Sequence, residues 1–146
     1  MVSEKVPIGA DHAGFDLKER LKAELIELGY DPVDVGTYST DSVDYPDYAK
    51  QVAEQVANGT ATRGVLLCGT GLGMSYTANR FPGVRAAVAW TPEIAELSRR
   101  HNDANVLVLP ARFIEEDAGV EILRRWLTVP FDGGRHGRRV AKIEAD

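Results

Sequence analysis

The stretch from Gly64 to Met74, reading Gly-Val-Leu-Leu-Cys-Gly-Thr-Gly-Leu-Gly-Met, constrains the fold more than any other part of the chain. Val65, Leu66 and Leu67 form a short apolar run that ends abruptly in glycines, the pattern of a buried parallel strand emptying into a ligand-facing loop. Cys68, the only cysteine, stands at that exit. Gly69, Gly71 and Gly73 let the backbone come close to a ligand and aim its amides at it, and Leu72 to Arg80 can then begin a helix. A strand end, an amide nest and a helix start therefore meet at one thiol.

The rest of the chain alternates around this stretch. Lys5 to Ala10 reads as a first strand, although Pro7 removes a ladder donor and suggests an edge or a strand end. Asp11 to Gly14 makes the turn, and Leu17, Leu21, Leu25 and Leu28 then share one helical face up to Gly29. Pro32 to Val35 is a short second strand, followed after Pro46 by a helix marked by Tyr48, Ala49, Val52, Ala53 and Val56. Beyond the central stretch, Arg85 to Trp90 reads as a fourth strand. Thr91 and Pro92 open a helix to about Arg100, Val106 to Leu109 is a fifth strand, and Ile114 to Leu127 a further helix. Glu115, Glu116 and Asp117 in the first turn of that helix, with Arg124 and Arg125 in its last, suit the helix dipole. Five strands alternating with helices predict a doubly wound, Rossmann-like α/β domain with a parallel sheet and ligands at its C-terminal edge. Gly133 and Gly134 then release a C-terminal helical tail, residues 131–146.

A chain of 146 residues is one domain on this reading, large enough to bury about 70% of its unfolded surface. One cysteine rules out an intrachain disulfide framework and suits a reducing compartment, and no apolar run reaches the roughly 20 residues of a membrane span, so cytoplasm is the expected location. A net charge of −5 argues against a general nucleic-acid binder. Positive charges nevertheless gather late, at Arg112, Arg124, Arg125, Arg135, Arg138 and Arg139, which fits a small anionic ligand.

The strand exits bring Asp11 and His12, Cys68 and its loop, and Arg112 to one edge. His101 and Asn102 lie elsewhere, at the end of a helix, and reach that edge only from a neighbouring subunit or by a fold back of the chain. Arg135 and Arg139 share a helical face and can grip a phosphate together. Nucleotide fingerprints fail: Gly69 to Met74 lacks the final glycine of GxGxxG, Trp90 stands where a ribose-binding acid is needed, and no Gly-Lys-Ser/Thr occurs. Taken singly, the candidates have plain structural readings. Cys68 can be a small core hydrophobe, Asp11 a helix cap, His12 a turn residue, His101 a helix C-cap and the tail arginines a solvated face. Together they are the parts needed to move a proton beside a phosphorylated carbonyl compound.

Five motifs in order carry a family resemblance. They are Gly9-Ala10-Asp11-His12-Ala13-Gly14, Asp44-Tyr45-Pro46, Cys68-Gly69-Thr70-Gly71-Leu72-Gly73, the run Ser98 to Leu107 with His101 and Asn102, and Gly134-Arg135-His136. Nearly end to end, the chain resembles the B-type ribose-5-phosphate isomerases, a family that includes galactose-6-phosphate isomerase. The resemblance implies aldose to ketose isomerisation through a cis-enediolate, without metal or organic cofactor. It implies Cys68 as the base, Thr70 as a proton relay, and amides from Gly71 to Ser75, with Gly69, Leu72, Gly73 and Met74 in the same loop, around the enediolate oxygens. His101 is implied to open the furanose ring, with Asp11 and Tyr45 beside it, and Asn102 to steady the open chain. His12, Arg112, Arg135 and Arg139 are implied to hold the phosphate. A homodimer with a shared site is also implied, with a tetramer as the alternative. Four- and six-carbon aldose phosphates are alternative substrates. A non-catalytic sugar-phosphate sensor and a plain flavodoxin-like interaction module are the other readings.

Overall fold

The computed structural model describes residues 3–144. In chain order the elements are β1 (Lys5–Ala10), α1 (Phe15–Glu27), β2 (Asp31–Gly36), α2 (Tyr45–Ala57), β3 (Gly64–Cys68), α3 (Leu72–Ala78) and β4 (Ala86–Val88). There follow α4 (Pro92–Arg100), β5 (Val106–Pro110), α5 (Glu116–Thr128) and α6 (Arg135–Glu144). All strand pairs are parallel, in the order β2-β1-β3-β5-β4.

Right-handed crossovers dictate which face each helix covers. The steps β1 to β2 and β4 to β5 run one way across the sheet and put α1 and α4 on one face. The steps β2 to β3 and β3 to β4 run the other way and put α2 and α3 on the opposite face. Alternation along the strands feeds both layers: Val65 and Leu67 pack with Leu21, Ile122 and Trp126, whereas Leu66 and Cys68 pack with Val52, Met74 and Ala78. This is why β3 reads as an unbroken apolar run: it is covered on both sides.

Pro7 lies in an interior strand, not at an edge. Asp11 N–H donates to Leu67 O at 3.2 Å, and by the same offset the missing Pro7 donor would meet Arg63, one residue before β3 begins. The proline therefore sits where that ladder has not started, since pairing with β3 opens at Ile8.

Other boundaries shift for local reasons. β4 is only Ala86–Val88, shorter than Arg85 to Trp90, because it pairs on one side alone; Arg85 N–H is taken by the Asn105 Oδ1 at 2.7 Å, and Trp90 is exposed. Leu28 falls at the end of α1 and is partly exposed, while α5 begins at Glu116 after Glu115 as its N-cap, leaving Ile114 to pack on the core from the preceding loop. Thr91 caps α4 through a 3.1 Å bond from Ile94 N–H. The apolar stripe of α1 also contains a buried cation, Lys18, which is paired with Asp34 of β2 at 2.6 Å.

Gly133 and Gly134 take positive φ angles of 71° and 58° before α6, which buries no residue. The tail helix thus forms as expected through Glu144, and the last two residues of the expected tail lie outside the described ones.

At the start of α1, Gly14 rests directly on β3. A Cβ there would stand 2.7 Å from the Leu67 Cβ and 2.9 Å from its carbonyl oxygen. Backbone cannot yield as a flexible side chain can, so Gly14→Ala is expected to cost about 1–3 kcal/mol, read as a lowered urea midpoint with an unchanged m-value.

Candidate active site

The strand order turns around between β1 and β3, and the exits of these two strands with β5 enclose a cleft of about 340 Å³. Asp11, Cys68 and Arg112 line it from the strand ends, Gly69, Thr70, Gly73 and Tyr76 from the glycine loop and α3, and Tyr45 from the start of α2.

Cys68 is almost fully buried at the cleft floor. Gly71 adopts φ +78°, and this left-handed turn swings its N–H back to donate to the Cys68 Sγ at 3.2 Å. Leu72 N–H donates to the Thr70 Oγ1 at 3.2 Å, and Ser75 N–H is spent on Gly71 O at 3.0 Å. Among the described residues the amides of Gly73 and Met74 have no acceptor in the chain. The donors expected from Gly71 to Ser75 thus narrow to these two. The Met74 side chain is wholly buried in the core beneath α3, and neither it nor the Leu72 and Ser75 side chains line the cleft.

Asp11 serves two purposes. Its Oδ1 accepts the amides of Ala13 at 2.9 Å and Gly14 at 3.3 Å, fixing the turn into α1, and its other oxygen has no partner among the described residues. His12 stands beside this turn, off the cleft wall, and its Nδ1 accepts Val43 N–H at 3.2 Å, which places the neutral ring's proton on Nε2. The Tyr45 ring lies against Gly73, where a Cβ would clash with its Cε1, and Arg112 passes over Gly69 less closely, with its Cδ 3.2 Å from where a Cβ would be.

His101 and Asn102 belong to a different place. The α4 helix leaves the C-terminal edge of the sheet and delivers His101 to the opposite edge, five strand residues or about 17 Å away. There His101 stacks on His136 with ring centroids 4.3 Å apart and 9° between planes. Asp132 completes the group, its N–H donating to Arg100 O at 3.0 Å and its Oδ1 accepting from Arg100 Nε at 3.2 Å. Donor atoms of His101, Asp132 and His136 lie within 4.8 Å of one another, but stacked parallel rings send their in-plane lone pairs side by side, whereas a metal needs them to converge. Lost hydration in the stack, then the positive neighbours His101, Arg135 and Arg139, hold His136 below the ordinary imidazole value of 6.5, with Asp132 pulling the other way. Asn102 borders a second cavity of about 410 Å³ between α4, β4 and Ile143 of α6.

The nominated residues therefore fall into two groups in one chain. Asp11, Tyr45, Cys68, Gly69, Thr70, Gly73 and Arg112 share the cleft; His101, Arg135 and Arg139 gather with His136 at the tail, next to Asn102. Tyr76 also lines the cleft, a place the sequence reading does not give it, although its spacing of three from Gly73 puts it on the same face of α3. His136 has no role in the sequence reading, although it lies in the Gly134-Arg135-His136 motif, two residues after the tail glycines.

Ion pairing sorts the cations. Arg20, Arg63, Arg85, Arg99, Arg100, Arg124 and Arg125 all bridge to carboxylates, which removes Arg124 and Arg125 from the late positive cluster as ligand-binding candidates. Arg112, Arg135, Arg138 and Arg139 have no such partner among the described residues. Of the six late arginines, those left for an anion are Arg112 beside the cleft and Arg135, Arg138 and Arg139 on α6.

A thiol with a donated amide, a carboxylate and unspent amides over the turning point of a parallel sheet define a small-molecule site of the α/β enzyme type. The family model described as Ribose/Galactose Isomerase matches residues 6–143, and the chain belongs to that family. It is 46% identical over 142 residues to ribose-5-phosphate isomerase B of Escherichia coli, covering 97% of this chain and 95% of that one. The structure of a ribose 5-phosphate isomerase from Thermotoga maritima matches with a TM-score of 0.93 at 52% identity over 97% of both chains. That of ribose-5-phosphate isomerase B from Mycoplasma genitalium with bound ribulose-5-phosphate matches with a TM-score of 0.94 at 38% identity, covering 99% of this chain and 96% of that one.

The stack has a direct readout. In a proton-nitrogen NMR titration His136 is expected to protonate below 6.5, and His101→Asn is expected to move it upward, because the substitution removes a positive neighbour and loosens the stack. A His136 midpoint unmoved by that substitution would contradict the stacked geometry.

Proposed function

We propose that this protein is an aldose-ketose isomerase that interconverts ribose 5-phosphate and ribulose 5-phosphate through a cis-enediolate. The observation that carries the reading is Cys68 at the cleft floor with an amide on its sulfur and two unspent amides, of Gly73 and Met74, beside it. Membership of the family and the relatives' printed activities support it.

The chemistry is proton movement throughout. With the aldose open, the Cys68 thiolate takes the proton from C2, the electron pair forms the C1–C2 double bond, and the C1 carbonyl oxygen becomes the enediolate oxygen. Amides held rigidly in a site shielded from water stabilise that charge where it develops, and so favour the transition state over the substrate. Thr70 relays the hydroxyl proton from O2 to O1, and the Cys68 thiol returns its proton to C1, leaving the ketose. No group outside the chain and substrate is consumed.

Ring opening needs a second proton carrier, and His101 fills that role from a neighbouring subunit. The support is topological: His101 cannot reach the Cys68 cleft of its own chain across the sheet. In a two-fold dimer each cleft meets the other subunit's tail, which makes two equivalent composite sites. His12 and Arg112 on the cleft side and Arg135 and Arg139 on the partner's tail hold the phosphate, with Tyr45 and Asp11 beside the sugar and Asn102 steadying the open chain. A tetramer of two such dimers keeps every site intact. The described residues contain no helix long and apolar enough to cross a membrane, and a working thiol fits a reducing cytoplasm.

A proton NMR time course with ribose 5-phosphate in deuterium oxide tests the reading: ribulose 5-phosphate with deuterium at C1 is the expected result. Absence of ketose and of exchange, with turnover of a four- or six-carbon aldose phosphate, would reassign the substrate. Absence of turnover with all three would overturn the reaction. Cys68→Ala is expected to abolish turnover while phosphate binding by calorimetry persists, because base and clamp are separate parts. Arg139→Ala is expected to raise KM by roughly 10- to 100-fold, the value of a charge-assisted hydrogen bond, with a smaller effect on kcat.

A further inference from the structure

We propose that Arg85, outside both groups of site residues, is a positioning residue: its guanidinium holds the His101–Asn102 turn and the α6 helix in fixed relation, so that one subunit presents them together to its partner. The inference rests on the shared-site reading above.

The turn is strained. Asp103, two residues after His101, has φ +48°, and among the described residues it is the one non-glycine with positive φ. Asp visits this region more readily than most side chains, yet outside glycine it is uncommon and is held by its surroundings. Here Arg99 Nη1 donates to the Asp103 Oδ1 at 2.8 Å, Arg85 Nη2 to its Oδ2 at 3.4 Å, and Arg85 Nε to its carbonyl at 2.9 Å. Arg85 is itself fixed, its N–H donating to the Asn105 Oδ1 at 2.7 Å, and only 18% of its side chain is exposed.

The same guanidinium reaches the tail. Arg85 Nη1 donates to the Glu144 Oε1 at 2.8 Å, and the other Glu144 oxygen accepts Gly83 N–H at 3.1 Å. The α6 helix buries nothing and follows two glycines with positive φ, so apolar packing does not hold it. Its near end is tied by Asp132 to Arg100 and by the His101–His136 stack, and its far end by Glu144 to Arg85 and Gly83. Helices attached only at one end open locally at little cost. Arg85 joins the far-end tie to the turn that carries His101, so it is the side chain that couples the far end of α6, and with it the direction in which Arg139 is presented, to that turn.

Complementation tests this. Arg85→Gln is expected to lower kcat/KM about 100-fold as a homodimer, the cost of a misplacement near 1 Å, with little change in circular dichroism. An Arg85→Gln subunit still has a sound Cys68 cleft. Paired with a Cys68→Ala subunit in heterodimers isolated by two affinity tags, it is expected to recover about half of wild-type activity, because one of two sites is then intact. A general folding defect would not be rescued. Asp103→Asn, which still tolerates the left-handed conformation, is expected to behave alike and decides the matter if Arg85→Gln does not fold. The control pairs His101→Asn with Cys68→Ala. If the control recovers and neither clamp variant does, or if both clamp variants keep wild-type kcat/KM, the positioning role is wrong. If the control itself fails to recover, the shared site is wrong and the proposal falls with it.

Discussion

The direction of the five strands is the constraint on which the rest depends. Because all are parallel, every strand exit lies at one edge of the sheet and every return helix ends at the other. Asp11, Cys68 and Arg112 follow β1, β3 and β5 and so converge without any long-range design. By the same rule His101, which follows α4, is carried away from them. A single chain of this topology cannot unite the thiol and the histidine, and no adjustment of loops of this length would change that. A two-fold pair can, since the symmetry that brings one tail to the other cleft also brings the second tail to the first.

The three loop glycines illustrate how one composition can answer three different needs. Gly71 is required for its left-handed angle, which turns an amide onto sulfur. Gly73 leaves space for the Tyr45 ring, and Gly69 gives Arg112 a close but less crowded passage. A nucleotide loop also uses glycines for turn and approach, but spaces them to bring a helix terminus against a pyrophosphate. Here the helix that follows is only seven residues long, and two of the three glycines make room for side chains. That difference is the physical content of the failed fingerprint.

Much of this was legible before any coordinates. Apolar runs covered on both faces, such as Val65 to Leu67, are visible as unbroken hydrophobic stretches, and the caps at Thr91 and Gly29 mark helix ends through chemistry local to the chain. The placement of His101 away from Cys68 also followed from element order alone. What escaped the sequence was set by tertiary partners. Pro7 looked like an edge residue because one-dimensional pattern cannot show that its missing donor faces a strand not yet begun. Met74 resembled a loop ligand because its spacing does not reveal that the side chain turns into the core while the amide turns out. Lys18 breaks the apolar stripe of α1 and is tolerated through a carboxylate sixteen residues away.

Charge supplies the last step. A chain of net charge −5 is a poor candidate for attracting a phosphate if its charges are simply summed. The sum is the wrong quantity, because most of the acidic residues near an arginine are engaged with it and cancel locally, as Glu96 does with Arg100 and Arg125 and Asp103 with Arg85 and Arg99. The arginines exempt from pairing include Arg112 at the cleft and Arg135 and Arg139 on α6. In one subunit these stand on opposite edges of the sheet, two weak and solvated positive regions. Brought together around one cleft they would face a dianion from both sides with water excluded, where each contact is worth more than at either surface alone. In the proposed two-fold dimer, one symmetry operation would bring both the tail arginines and His101 to the partner's cleft.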